Sequence, residues 1–138
     1  IAGDEIFPSG VMATQGKPSN PRGGYHFLNF TDPDNPKEDA LYQVPEAGSH
    51  NLWIYDDVLL AGNYQGGLRV VDISGELLGD IYKQGREIAV FQSSHKEGKI
   101  PNAPMVWGAQ PYKEYIFFAD MNSGLYCIKL EDKGSDAP

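Results

Sequence analysis

The chain has 138 residues, of which 41% are hydrophobic and 22% charged, and a formal net charge of −8. With 11 Lys and Arg against 19 Asp and Glu, the charge balance excludes nucleic acid as the expected partner, because a phosphate backbone would be repelled. No apolar run approaches the roughly 20 residues that a membrane-spanning helix needs. The single cysteine, Cys127, excludes an internal disulfide framework and a cysteine-rich zinc site.

Short runs of Tyr, Phe, Val, Ile and Leu alternate with clusters of Gly, Pro, Asn and Asp. This pattern is typical of many short strands joined by turns. No window of a dozen residues keeps a helical spacing of apolar residues without a Gly or Pro interrupting it. The sequence therefore predicts an all-β protein, with strands in chain order over 10–14, 25–30, 40–44, 51–55, 58–62, 68–73, 79–83, 105–108, 115–120 and 125–130.

One strand motif occurs three times. The segment 67–74 (Gly-Leu-Arg-Val-Val-Asp-Ile-Ser) aligns without a gap to 24–31 (Gly-Tyr-His-Phe-Leu-Asn-Phe-Thr) and to 124–131 (Gly-Leu-Tyr-Cys-Ile-Lys-Leu-Glu). A repeat of about 40–45 residues that carries four short strands is typical of a β-propeller blade, since a twisted sheet that is apolar on both faces must lie between neighbours. We attribute the longer spacing between the second and third copies to an insertion over 85–104.

These residues also carry a family resemblance. The segment 66–74 resembles the core of the LVIVD repeat, and 25–36 is similar to the strand of that repeat with its Asp-Pro-x-x-Pro hairpin. The resemblance covers about residues 10–131 and implies a β-propeller, usually seven-bladed, in extracytoplasmic proteins of bacteria and archaea that mostly lack an assigned enzymatic activity. The chain departs from the pattern in the insertion over 85–104, in the short hairpin at 74–76, and in the third copy, where Cys-Ile-Lys replaces Val-Val-Asp.

The predicted strands account for about three four-stranded blades, fewer than the four or more that a closed ring needs. We therefore predict an incomplete propeller over 1–131, with blade boundaries near residue 45 and at the 85–104 insertion, and a polar tail over 132–138. An open array leaves an apolar face bare at each end. The remainder of a longer chain, of which this is the C-terminal part, is the cover we favour; other copies or a different protein are the alternatives.

The strand that begins near residue 51 is an innermost strand in this blade assignment, so it would line the central channel. His50, Asn51, Trp53 and Asp120 are the candidate ligand-binding residues there; Arg69 is a further candidate contributor to such a channel site, and the missing blades would supply the rest of it. That site, for a ligand or a metal and with enzymatic activity as one version, is the alternative function. A hydrogen-bonded structural role is the interpretation of His50 that we favour.

Turns between the second and third strands of each predicted blade lie at one face of the disc, where propellers usually bind partners. Exposed polar and aromatic residues in such turns can form a recognition surface. Solvated turns are the competing interpretation. The candidate partner-binding residues are Asn63, Tyr64, Gln65, Met121 and Asn122.

Two further features concern cofactors and the cysteine. Asp32 and Asp34 carry oxygen ligands of the kind that Ca²⁺ prefers, but Asp, Asn and Pro also favour a hairpin turn on conformational grounds. We favour the turn and predict no cofactor, with Ca²⁺ at Asp32 and Asp34 as the alternative. Cys127 aligns with Val70 of the repeat, which predicts a small buried apolar side chain.

Together these features predict a non-catalytic, extracytoplasmic β-propeller module of bacterial origin, located in the periplasm, on the cell surface or in the secreted fraction. It would serve as a protein-binding or scaffolding subunit of a larger assembly, with attachment at the periphery of a membrane complex as one arrangement. Ser94 and His95 are adjacent, which rarely places a nucleophile and its base correctly, so we predict no catalytic residues. A third hypothesis is a polymeric surface component whose copies cover one another's open faces.

Overall fold

The computed structural model describes residues 1–6 and 21–131, and all regular structure in these ranges is β-strand, which confirms the all-β prediction. No described segment forms a helix long and apolar enough to cross a membrane. The predicted strand at 10–14 and the predicted tail at 132–138 lie outside the described residues. The strands are β1 (Ala2–Ile6), β2 (Arg22–Asn29), β3 (Lys37–Tyr42), β4 (Leu52–Tyr55), β5 (Val58–Gly62), β6 (Leu68–Asp72), β7 (Gly79–Asp80), β8 (Glu87–Phe91), β9 (Val106–Tyr112), β10 (Tyr115–Asp120) and β11 (Gly124–Ile128).

These strands form three sheets. Sheet 1 has the order β1-β2-β3-β7, sheet 2 the order β4-β5-β6-β8, and sheet 3 the order β9-β10-β11. Neighbouring strands are antiparallel except β3 and β7, which are parallel. The sheets therefore follow one another along the chain, with β7 as the one strand that joins a sheet out of sequence.

Sheet 2 is apolar on both faces because it lies between the other two. Leu59 and Val71 are cross-strand partners that pack against the buried tyrosines of sheet 1. Leu60 and Val70 are the next pair, and they pack against the buried residues of sheet 3. This explains the nearly continuous apolar run in β6, since a strand with only one covered face would alternate apolar and polar residues.

The fourth strand of sheet 2 differs from the prediction. β8 pairs with β6, so the first part of the segment predicted as an insertion over 85–104 is a strand of the sheet. The segment predicted as that fourth strand, 79–83, instead contributes β7, which pairs with β3 of sheet 1. Ile81 then enters the core between sheets 1 and 2 fully buried, and its amide donates to the carbonyl of Leu41 at 2.9 Å. Burying this isoleucine explains the excursion of the chain to the neighbouring sheet.

Hairpin turns follow local chemistry. Gly67 directly precedes β6 and Gly124 begins β11, with φ of +80° and +100°, a conformation that glycine adopts without strain. Asp56 and Asp57 join β4 to β5 with φ of 45° and 58°. Two central residues with positive φ are typical of the tight turns whose twist matches that of the flanking strands.

Candidate functional site

A groove of about 440 Å³ lies where β4, an edge strand of sheet 2, meets β9, an edge strand of sheet 3. The two sheets are joined there by the backbone, because the amide of Asn51 donates to the carbonyl of Trp107 at 2.9 Å. Trp53 and Trp107 line the groove and are 44% and 39% exposed. Asn51 and Gln110, both exposed, add two amide side chains. We call this site the tryptophan groove and define it by these four residues.

Two glycines allow sheets 2 and 3 to approach closely at the groove. A Cβ added to Gly62 would lie 2.2 Å from the carbonyl oxygen of Trp107, so only glycine permits the contact between β5 and β9. A Cβ added to Gly108 would lie 2.7 Å from the Cβ of Asn51. The side chain of Asn51 therefore lies over Gly108, in space that any larger side chain at position 108 would occupy.

His50 supports the indole of Trp107. The two rings stack with centroids 4.9 Å apart and planes inclined by 20°. Nδ1 of His50 donates to the carbonyl oxygen of Trp107 at 3.1 Å, which fixes the orientation of the imidazole. His50 is thus hydrogen-bonded, and it positions an indole that lines the groove; ligand binding by His50 itself stays a prediction.

Two tyrosines hold His50 in turn. The hydroxyl of Tyr25 donates to the carbonyl of Gly62 at 2.6 Å and accepts from the amide of His50 at 3.3 Å. Tyr64 meets the His50 ring edge-on at 5.3 Å, and its hydroxyl bonds to the carboxylate of Glu5. Burial raises the pKa of both tyrosines, and Glu5 raises that of Tyr64 further. Both hydroxyls therefore stay neutral hydrogen-bonding groups and rigid supports.

The structure separates the residues that the sequence groups as a channel site. Asn51 and Trp53 line the tryptophan groove, and His50 lies behind it as a support. Arg69 does not line the groove: its Nη1 donates to Glu87 at 2.9 Å in a half-buried ion pair. Trp107, which also lines the groove, is not among the residues predicted from the sequence; its position as the repeat equivalent of Trp53 is the signal that could have identified it.

Asp120 is buried and holds a turn together. One carboxylate oxygen accepts the amides of Asn122 at 2.7 Å and Ser123 at 2.9 Å. The other accepts the amide of Met105 at 2.7 Å and the hydroxyl of Ser93. All four donors belong to the protein, so the carboxylate joins the turn after β10 to the loop before β9 rather than facing the groove.

The predicted partner-binding residues lie largely inside the protein. Asn63, Tyr64 and Asn122 are buried, and Met121 and Gln65 are half-buried. The amide group of Gln65 donates to the carbonyl oxygens of two loops, and the backbone of Met121 donates to the loop before β9. In this conformation the turns hold neighbouring segments together, and partner contact by these five residues stays a prediction.

A charged cluster crosses the outward face of sheet 1. His26 on β2 contacts Asp4 on β1, with 3.1 Å between Nε2 and Oδ1, and contacts Glu38 on β3 through Nδ1. Hydrogen bonding to Glu38, followed by that to Asp4, raises the pKa of His26. This cluster could not be predicted from the sequence, because residues 2–6 carry no strand pattern and the cluster needs β1 beside β2.

The acidic turn after β2 is closed by local hydrogen bonds of the kind expected in a hairpin turn. The amide of Asp34 donates to the side chain of Asp32 at 3.2 Å, and the amide of Asn35 donates to the carbonyl of Asp32 at 3.1 Å. Both aspartates are exposed. Across residues 1–6 and 21–131, no group of three or more His, Cys, Asp or Glu side chains is arranged to hold a metal ion, and Ca²⁺ at this turn stays a prediction.

The tryptophan groove therefore offers two aromatic surfaces and two amides, held by a stacked histidine and two glycine contacts. Such a site can bind and orient a ligand. Comparisons with protein-family models, with curated proteins and with solved structures each found no match. What the groove binds must accordingly be argued from its own chemistry.

Proposed function

We propose that this chain forms three blades of an incomplete β-propeller of the LVIVD-repeat type and serves as a non-catalytic protein-binding or scaffolding module. The observation that carries the proposal is the position of sheet 2 between sheets 1 and 3, with each sheet following the last along the chain. This face-to-face stacking in chain order is the arrangement of neighbouring blades. The family assignment rests on the repeat residues alone, as does the extracytoplasmic location.

The outward face of sheet 3 supports a role in assembly. Phe117 on β10 lies opposite Cys127 on β11, and Leu125 lies opposite Ala119; all four are exposed. This row is uncharged and has the composition of the faces that are buried in sheet 2. Exposed apolar patches of this kind mark surfaces that another element covers, and we propose a further blade as that element.

The groups that would serve acid–base chemistry already have partners within the protein. The imidazole of His50 bonds to the carbonyl of Trp107, and the carboxylate of Asp120 accepts from four protein donors. A general base needs a free acceptor atom that can reach the proton of a substrate; all four contacts of the buried Asp120 carboxylate are within the protein, and His50 has only Nε2 left for such a role. These contacts support the non-catalytic version of the proposal over an enzymatic channel.

The test compares the mass of the protein, as isolated from its source, under denaturing and native conditions. A denatured mass well above the 15.2 kDa of this chain places further blades on the same polypeptide. A denatured mass near 15.2 kDa with a larger native mass places them on other subunits. In both cases Cys127 is expected to resist thiol reagents until the assembly is denatured. Equal masses near 15.2 kDa with Cys127 freely labelled would show that nothing covers sheet 3, and the proposal would be wrong.

A further inference from the structure

We propose that the tryptophan groove binds a neutral sugar, with a pyranose ring stacked on the indole of Trp53 and its hydroxyl groups bonded to the amides of Asn51 and Gln110. This inference goes beyond the scaffolding role. It does not depend on the three sheets being propeller blades. The groove shares Ala119 and Leu125 with the row that a further blade would cover, so sugar binding is proposed for the chain with that face open.

The aromatic surfaces supply the first argument. Trp53 and Trp107 each keep about two-fifths of their surface exposed in a groove rather than on an open face. The face of an indole carries partial negative charge and attracts the positively polarised C–H groups of a ring laid against it. A pyranose has one such C–H face, whose transfer from water onto the indole is favourable.

Hydrogen-bonding capacity supplies the second argument. Within the described part of the chain, the side-chain amides of Asn51 and Gln110 make no hydrogen bond, although both residues line the groove. Each amide presents a donor and an acceptor side by side. A sugar hydroxyl is also both donor and acceptor, so a pair of neighbouring hydroxyls matches an amide on both counts.

Charge supplies the third argument. No charged side chain is among the described residues that line the groove, in a protein whose formal net charge is −8. A cationic ligand would find no carboxylate there, and an anionic ligand would find no Lys or Arg and would be repelled by the protein as a whole. The groove is therefore complementary to an uncharged ligand with one apolar face.

A proline-rich peptide is the other uncharged ligand that aromatic grooves accept. It presents carbonyl acceptors and almost no donors, since proline lacks an N–H. Such a peptide could pair with the N–H groups of the two amides but offers almost no donor to their oxygens, whereas sugar hydroxyls can pair with both. The amides of Asn51 and Gln110 therefore favour a sugar over a proline-rich peptide, and the experiment distinguishes these two ligands.

The groove is also pre-formed, which lowers the cost of ordering it on binding. Trp107 is stacked on His50, and Asn51 is seated over Gly108. The cavity of about 440 Å³ is within the range of small-molecule sites. A unit of one or two sugar rings is therefore the expected occupant.

The experiment titrates the 138-residue chain with maltotriose, cellotriose and triacetylchitotriose, followed by tryptophan fluorescence and by saturation-transfer NMR on the sugar protons. At least one of the three is expected to bind saturably with Kd below about 10 mM. Trp53→Ala is expected to weaken that binding at least about tenfold, with Trp107 left as the reporter. Trp53→Tyr, which restores an aromatic face, is expected to recover most of the affinity.

Tyr112→Ala is the matched control, because Tyr112 is an exposed aromatic residue on the same strand as Trp107 but outside the groove; its affinity is expected to be unchanged. Gln110→Ala, at an exposed position, keeps the test decisive if Trp53→Ala does not fold. The proposal is overturned if none of the sugars binds at about 10 mM, if binding is indifferent to Trp53→Ala and Gln110→Ala, or if decaproline binds the groove and the sugars do not.

Discussion

Sheets 2 and 3 carry the same repeat but place it in different surroundings. Leu68 of β6 and Leu125 of β11 occupy equivalent repeat positions, yet Leu68 is fully buried and Leu125 is 76% exposed. Val70 and Cys127, two residues further on, differ in the same way. The side chains are similar, so the difference comes from what lies against the sheet: sheet 3 covers this face of sheet 2, and no described element covers the corresponding face of sheet 3.

The repeat therefore specifies a strand whose side chains can be buried, but it does not decide whether another sheet covers them. A blade-like sheet gains stability from each face separately, because burial of apolar area is roughly additive. Sheet 2 receives this contribution on two faces and sheet 3 on one.

Truncation in the covered sheet should be costly and truncation in the open sheet should not. Leu68→Ala removes a buried side chain from the core between sheets 2 and 3, and we expect the free energy of unfolding to fall by about 2–5 kcal/mol. Leu125→Ala, its repeat equivalent, should change it by less than about 0.5 kcal/mol. Urea unfolding of both variants measures the difference. Equal losses would mean that the face of Leu125 is covered in solution.

Thiol reactivity tests the same asymmetry without removing a side chain. In the isolated chain, Cys127 should react with a thiol reagent at the rate of an exposed cysteine. Val70→Cys, combined with Cys127→Ser, should react roughly 100-fold more slowly, because labelling requires sheet 2 to open from sheet 3. Slow labelling of Cys127 in the isolated chain would show that copies of the chain cover one another.

Substitution of Asp120 tests what anchors the turn after β10 in sheet 3. Asp120→Ala leaves two turn amides and the amide of Met105 without their acceptor inside the protein, so we expect a loss of about 2–3 kcal/mol in unfolding free energy. Asp120→Asn keeps an acceptor oxygen and should lose less. Thermal or urea unfolding of the two variants decides the point; a neutral Asp120→Ala would show that the loop before β9 does not need this anchor.

The charged cluster on sheet 1 should produce the smallest effect, and one that depends on pH. The folded pKa of His26 is raised, so its stabilising contribution is fully present below the unfolded pKa of about 6.5 and is lost as the pH rises through the folded value. Unfolding free energy should therefore decline as the pH rises from about 6.5 through the folded pKa of His26, and His26→Gln should flatten that decline. An NMR titration of His26 that gave a pKa below 6.5 would contradict the prediction.

Much of the fold could be predicted because it depends on local patterns in the sequence. The strands at 58–62 and 115–120 coincide with β5 and β10, and the turn residues Gly67 and Gly124 have the positive φ that glycine adopts without strain. Short apolar runs and turn residues are local features of the sequence, so the strands that they mark can be predicted from it. In the candidate site, Asn51 and Trp53 could be predicted in the same way, because they lie at the start of a predicted innermost strand.

Other features could not be predicted because they depend on distant partners. β1 is a polar pentapeptide that becomes a strand only by pairing with β2, and β7 is two residues long and exists through its pairing with β3. β8 lies in the segment predicted as an insertion, because its position beside β6 depends on strand pairing and not on a local sequence pattern. Tertiary context decides strand membership wherever the local signal is weak.

The sequence by itself determined that this protein is all-β, that it repeats a strand able to be buried on both faces, and that it is acidic. Only the tertiary structure decided which copy of that strand is covered, that Cys127 is exposed although its repeat position predicts burial, and that two tryptophans from different sheets line one groove. The physical reason is that strand propensity and turn conformation are set by near neighbours, whereas burial and the meeting of side chains are set by whichever sheet packs against them.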